Sequence, residues 1–259
     1  MTRLIRLLGR KGYVFFYRRY EILAFILSTI AELRNVYFYR RQVIEQFYRV
    51  GVQSIPLVAV ISAFTGMVTS VQAAYQLTDY AFIPLYTVGA VVLQSVVLEL
   101  GPVLTGLVMA GRIGAGITAE IGTMKVSEQI DALESLAIDP IGYLAMPRLL
   151  AAIVMMPVLS IFSIAIAILT SLLLAPYVVS GMTMYEFIKG MRFFFFEHDL
   201  FVGLIKALCF GAMIALIGSY KGLTTQNGAK GVGLSTTVSV VSASVAILVV
   251  DYLVAQLLL

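Results

Sequence analysis

The chain has 259 residues, of which 60% are hydrophobic and only 12% charged, with a mean hydropathy of +0.97. Soluble domains run at about 45–50% apolar and about 25% charged residues, so this composition excludes an ordinary cytosolic enzyme and points to an integral membrane protein. A single cysteine (Cys209) excludes an internal disulfide, a single histidine (His198) excludes the His clusters of most catalytic metal sites, and the formal charge of +4 has to be judged by where the basic residues lie.

Residues 1–50 read as a basic amphipathic segment. Arg3, Arg6, Arg10, Lys11, Arg18 and Arg19 interleave with Leu4, Ile5, Leu7, Leu8, Val14, Phe15 and Phe16, the pattern of a helix lying in a membrane interface. The apolar run from Ile22 to Leu27 is too short to span, and Arg34, Arg40, Arg41 and Arg49 follow it among Tyr37, Phe38, Tyr39 and Tyr48. That is an elbow along the membrane surface. A signal peptide is the competing reading, but no small-residue cleavage site follows the run.

Residues 51–259 supply five candidate spans: Val52 to Leu77, Leu85 to Ala110, Leu149 to Val179, Leu200 to Ser219, and Thr236 to Leu258. Each is long enough for a hydrocarbon layer that needs about 20 helical residues. The expected fold class is all-α integral membrane, an interfacial helix followed by five transmembrane helices. Ten Lys and Arg precede the first span, three (Arg112, Lys125, Arg148) lie between spans two and three, and two (Lys221, Lys230) lie between spans four and five. Fifteen of the eighteen therefore fall on one side, which the positive-inside rule makes cytoplasmic. The N-terminus is expected inside and the C-terminus outside. Basic charge so placed sets topology and meets anionic headgroups, which leaves no call for a nucleic-acid partner.

The longest inner stretch, between spans two and three, contains a short amphipathic pattern. Ser127 is placed as an N-cap, Ile130, Leu133, Leu136 and Ala137 recur at helical spacing, and Asp139-Pro140 supplies a stop. Glu128, Asp131 and Glu134 line the other side, an acidic face on an otherwise basic surface. On periodicity alone the segment is either a connector packed on its own protein or a foot that docks into another chain.

Around this segment the sequence resembles the MlaE-type permeases, transmembrane subunits of lipid-transporting ABC systems that work with MCE-domain proteins. The resemblance rests on Glu99-Leu-Gly-Pro102, Ala110-Gly-Arg112, Ala119-Glu-Ile-Gly122, Met124-Lys125, Glu128-Gln129, Asp139-Pro140 and Pro147-Arg148, in order over about 50 residues. It implies a homodimeric permease in the bacterial inner membrane, with cytoplasmic ATPase subunits that bind ATP and Mg, and a periplasmic MCE-type carrier outside. It implies that Met124 to Ala137, including Lys125, Gln129 and Ile130, is the coupling helix that fits a groove on the ATPase. It also implies that Glu99 and Leu100 lie at a lipid-binding cavity between two copies. Some relatives carry Arg directly before the Glu, where this chain has Leu98.

Absent motifs agree with a subunit that has no motor. No G-x-x-x-x-G-K-[ST] occurs, so this chain does not cradle a nucleotide that way. Nor is there a G-x-S-x-G elbow, and His198, between Glu197 and Asp199 after the run Phe193 to Phe196, reads as solvated or interfacial. No catalytic residue and no metal ligand is proposed.

Three ionisable residues fall within spans, each costing roughly 2.5–3.5 kcal/mol for Asp or Lys near a helix centre. Lys206 and Asp251 sit at similar depth, roughly 10 Å below the outer boundary at 1.5 Å per residue, on adjacent antiparallel helices. An ion pair between them is expected, pinning two helices or serving a proton or ion relay. Glu99 has no basic partner within its own helix and is expected at a cavity or a subunit seam. Ala207, Gly211 and Ala215, and Ala110, Gly114 and Thr118, are spaced by four for close helix approach. The stripe Met67, Val71, Tyr75, Thr78 and Tyr80 is either an interfacial aromatic belt or, given the resemblance, a wall of the lipid cavity for tails and headgroup. The rival to an ATP-driven permease is a secondary transporter or channel that uses Glu99, Lys206 and Asp251 as a charge relay.

Overall fold

The computed structural model describes residues 17, 19–78, 84–178 and 181–259, and every regular element among them is helical. Helix α1 covers residues 19–31, and a 3-10 turn at Glu32–Asn35 leads to α2 (Arg40–Val50). The interfacial pattern from Arg3 to Phe16, and Arg18, lie outside the described residues. Helix α1 exposes Leu23, Leu27 and Ile30 but buries Phe25, whose ring meets Tyr220 at 5.6 Å. A 3-10 turn at Val52–Ser54 joins α2 to α3 (Ile55–Thr78).

Among the described residues five helices are long and apolar enough to cross a membrane: Arg40–Leu77, Thr87–Val126, Ile141–Val178, Glu197–Leu223 and Gly228–Leu258. The first comprises α2 and α3; the others are named α4 (Thr87–Val126), α6 (Ile141–Val178), α8 (Glu197–Leu223) and α9 (Gly228–Leu258). Between them lie two short helices, α5 (Gln129–Ser135) and α7 (Met184–Phe193). A capping box opens α7: Thr183 Oγ1 accepts from the Glu186 amide at 3.2 Å while the Glu186 carboxylate accepts from the Thr183 amide at 3.0 Å.

The expected number of spans is present among the described residues, but all five helices are longer than hydropathy indicated, most of all around the stretch between spans two and three. Span two was expected to end at Ala110 and runs on to Val126; span three was expected to begin at Leu149 and begins at Ile141. Glycine and charge in that stretch imitate a loop. It stays helical because its small residues pack against α8 and its hydroxyls are satisfied there. Thr118 Oγ1 donates within reach of the Gly218 carbonyl at 3.0 Å and lies 2.8 Å from Ser239 Oγ on α9, all three groups buried. Three π-helical turns, Val96–Leu100, Ala110–Gly114 and Ile141–Ala145, fall on or beside the motifs Glu99-Leu-Gly-Pro102, Ala110-Gly-Arg112 and Asp139-Pro140.

Helix α4 crosses the bundle, its first part against α3 and α7 and its last part between α8 and α9. Helices α3 and α6 pack along a polar seam, with Ser62 Oγ donating to Ser163 Oγ at 2.8 Å and Ser171 Oγ to the Gly66 carbonyl at 2.7 Å. Small residues let α8 close on α6: a Cβ on Gly211 would stand 2.4 Å from the Ala152 carbonyl oxygen. Such seams supply the packing and hydrogen bonding that hold helices together where lipid removes the hydrophobic drive.

Candidate functional site

The described residues carry one ionic site inside the bundle, toward the end where α8 begins and α9 finishes. Pro102 has no N–H, so the Leu98 carbonyl four residues earlier loses its helical donor. The π turn absorbs the irregularity, and Lys206 Nζ donates to that carbonyl at 3.2 Å. The same ammonium donates to Glu99 Oε1 at 2.6 Å and lies 2.8 Å from Asp251 Oδ1, in the latter case outside hydrogen-bonding angles. Gly203 sets this approach: a Cβ there would stand 2.5 Å from the Val97 carbonyl oxygen. One turn later Lys206 enters the gap. It is fully buried, whereas the carboxylate side chains of Asp251 and Glu99 are 19% and 46% exposed.

Glu99 opens to a cleft of about 360 Å3 between α3 and α4, lined also by Thr69, Gln72, Gln76, Ser95 and Leu100. Of the residues expected at a cavity, Glu99 and Leu100 line it. Leu98 contributes its carbonyl to Lys206 and is not part of the lining. Val71 and Tyr75 are exposed on α3 but project from a neighbouring stripe and do not line this cleft. Thr78 ends α3 and Tyr80 lies outside the described residues, as does the Thr78 side chain. The lining that sequence reasoning missed is Thr69, Gln72 and Gln76, spaced i, i+3, i+7 and therefore one helical face. Polar residues at that spacing inside a span were the available signal.

At the other end, the segment expected as one helix from Met124 to Ala137 is two pieces. Met124 and Lys125 belong to the last turn of α4, and Ser127 is no N-cap: its Oγ donates back to the Thr123 carbonyl at 2.8 Å. Glu128 takes φ +61° and turns the chain into the seven residues of α5. Nor is Asp139-Pro140 the stop. Ala137, at φ +58°, closes α5 with paired bonds from the Ala137 amide to the Glu134 carbonyl at 2.9 Å and from the Ile138 amide to the Leu133 carbonyl at 3.0 Å. Asp139 instead opens α6, accepting the Gly142 amide at 2.8 Å.

Ile130 is buried in the core of the bundle and Leu133 packs beside it, so two of the expected docking residues anchor the foot to its own protein. Leu136 is 71% exposed, and Glu128, Gln129, Asp131 and Glu134 are exposed with it. Lys125 pairs with Asp131 at 2.7 Å. Next to the foot, Glu120 bridges Arg49 of α2 at 3.2 Å and Arg148 of α6 at 3.0 Å. His198 Nε2 lies 2.8 Å from the Leu258 carbonyl oxygen, which ties the start of α8 to the end of α9. Among the described residues no group of three His, Cys, Asp or Glu is placed to hold a metal.

A helical bundle with five helices able to cross a membrane, a cleft at one end and a small exposed foot at the other is an architecture suited to a membrane permease. The model of the family described as Permease MlaE matches residues 43–257; the chain belongs to that family. It is 39% identical over 221 residues to a probable ABC transporter permease protein of Synechocystis sp., covering 85% of this chain and 82% of the relative. A protein of the same name from Rickettsia typhi is 39% identical over 236 residues, covering 90% and 89%. One from Porphyra purpurea is 39% identical over 220 residues, covering 85% and 82%.

Proposed function

We propose that this chain is the permease of an ATP-driven lipid transporter, acting as a homodimer in the bacterial inner membrane. Separate cytoplasmic ABC ATPase subunits bind ATP and Mg and press on the foot, and an MCE-type carrier receives or delivers phospholipid at the periplasmic end. The N-terminus is cytoplasmic and the C-terminus periplasmic, in keeping with the basic residues gathered at the foot end.

The observation that carries this reading is the foot itself. Helix α5 is fixed to the bundle by Ile130 yet presents Leu136, Glu128 and Glu134 outward, which suits a lever rather than a free loop. The cleft beside Glu99 and Leu100 suits a lipid: it has polar groups for a headgroup, and a second copy facing it would close it. Motion of the two feet would then change the width of the cavity between the copies.

Replacing Leu136 with Arg is expected to abolish ATPase association in pull-down while leaving the purified bundle folded. Leu133, half-buried against the core, is the wrong position for that test. The secondary-transporter reading draws on the Glu99, Lys206 and Asp251 cluster. Lipid or ion transport by this chain alone in liposomes, dependent on membrane potential, would favour it over the ATP-driven one.

A further inference from the structure

The seam between α2, with the turn that follows it, and α4 holds a second cavity at the foot end, of about 420 Å3, lined by Gln46, Arg49, Gln53, Arg112 and Glu120 among others. Its charges are unevenly matched. Glu120 is paired through both oxygens, with Oε1 on Arg49 at 3.2 Å and Oε2 on Arg148 at 3.0 Å, and Arg49 also meets Glu45 at 2.6 Å. Arg112 pairs with no carboxylate of the described residues. Among the described residues its guanidinium donates only to Ser54 Oγ, which leaves most of five donors unused. Gln46 is 9% exposed, lines the same cavity and makes no hydrogen bond among the described residues. A buried amide and a half-buried guanidinium, both wanting acceptors, face one space.

Depth identifies the acceptor. Ser54 directly precedes α3, whose 24 residues would cover a bilayer core of about 30 Å at 1.5 Å per residue. Arg112, bonded to Ser54, therefore stands at headgroup level. Val52 and Ile55, 48% and 37% exposed, flank Ser54 in the chain and present apolar surface at that level. Glu120 does not repel an anion here, because two guanidinium groups already neutralise it.

We infer that this cavity binds the phosphate of an inner-leaflet lipid headgroup, with the Arg112 guanidinium and the amides of Gln46 and Gln53 as donors. The planar fork of arginine matches two phosphate oxygens at once. The site is separate from the cleft at Glu99 and rests on the permease reading only for the position of the bilayer.

The test is native mass spectrometry of the delipidated transporter titrated with dioctanoyl phosphatidylglycerol, with dioctanoylglycerol, which has the tails and no phosphate, and with inorganic phosphate. Phosphatidylglycerol is expected to bind and dioctanoylglycerol not to, and Arg112→Gln is expected to weaken phosphatidylglycerol about tenfold, as for one charged hydrogen-bonded contact. Because Arg112 also holds Ser54, a second position keeps the result clean. Gln53 is exposed, so Gln53→Glu should weaken binding and Gln53→Lys tighten it with the fold undisturbed. Equal phosphatidylglycerol affinity in the wild type and these three variants overturns the site. So does displacement of the lipid by inorganic phosphate at equal concentration, which would assign the cavity to a soluble anion. Either outcome leaves the lipid-permease reading standing; that reading fails separately, if the intact assembly moves no lipid between membrane and carrier.

Discussion

The two ends of the bundle each carry an ionic cluster, and they differ chiefly in burial. At the cleft end one fully buried ammonium, Lys206 of α8, holds a carbonyl and a carboxylate of α4 and a carboxylate of α9. At the foot end Arg49 and Glu120, 45% and 40% exposed, join α2 to α4, and only Arg148 is buried. Water screens the second cluster and cannot reach the centre of the first. Removing one partner from a buried pair strands the other and costs about 3–5 kcal/mol, whereas an exposed pair is worth about 0–1 kcal/mol. The cleft end is thus built as a fixed pin, and the foot end as a set of contacts that can be rearranged cheaply, as the motion proposed for the foot would need.

The largest effect should follow Lys206→Met, which leaves Glu99 and Asp251 facing each other without a cation. Loss of about 3–5 kcal/mol is expected, read as a collapse of the monodisperse peak in detergent and a lowered melting temperature. The double variant Lys206→Met with Asp251→Asn sharpens the point. Recovery of most of the loss would show that the stranded Asp251 charge, not lost packing, is what destabilises; no recovery would break the contrast between the two ends. Asp251→Asn alone comes next. Lys206 keeps Glu99 and the Leu98 carbonyl, so the expected cost falls to about 1–3 kcal/mol, and a variant as stable as the wild type would show that the Asp251 contact adds nothing to the pin.

What the sequence made legible follows the same division. The five spans and the shared depth of Lys206 and Asp251 are properties of length and of 1.5 Å per residue, which hydropathy reads directly. The bond from Lys206 to Glu99 was hidden because their helices are not neighbours in the chain. The π turn at Val96–Leu100 also rotates the register on which any facing argument depends. The foot was located but its ends were misplaced. Both of its turns use left-handed residues that are not glycine, Glu128 and Ala137, so no glycine marked them. Asp139-Pro140 carries a signal for stopping one helix and for starting the next, and only packing decides between them. On α3 the aromatic stripe through Tyr75 was the stronger pattern, while the polar stripe of Thr69, Gln72 and Gln76, which lines the cleft, carries no charge to announce it.

The smallest effect is expected from Glu120→Gln, although it removes a residue that contacts two arginines. Its pairs with Arg49 and Arg148 lie at 3.2 and 3.0 Å, but Glu120 is 40% exposed, and Arg148 retains the Leu144 carbonyl as acceptor at 2.6 Å. Gln keeps an acceptor oxygen that Arg148 can still reach, so the buried guanidinium is not stranded; the stability change should be about 1 kcal/mol, and the exposed Arg49 part of it should shrink as salt is raised. Coupling is where the variant should tell: if the foot end is the adjustable one, ATPase stimulation by the assembled transporter should change more than the melting temperature does. A loss as large as that of Lys206→Met, insensitive to salt, would mean that Glu120 is locked into the core as firmly as the pin, and the two ends would no longer differ in kind.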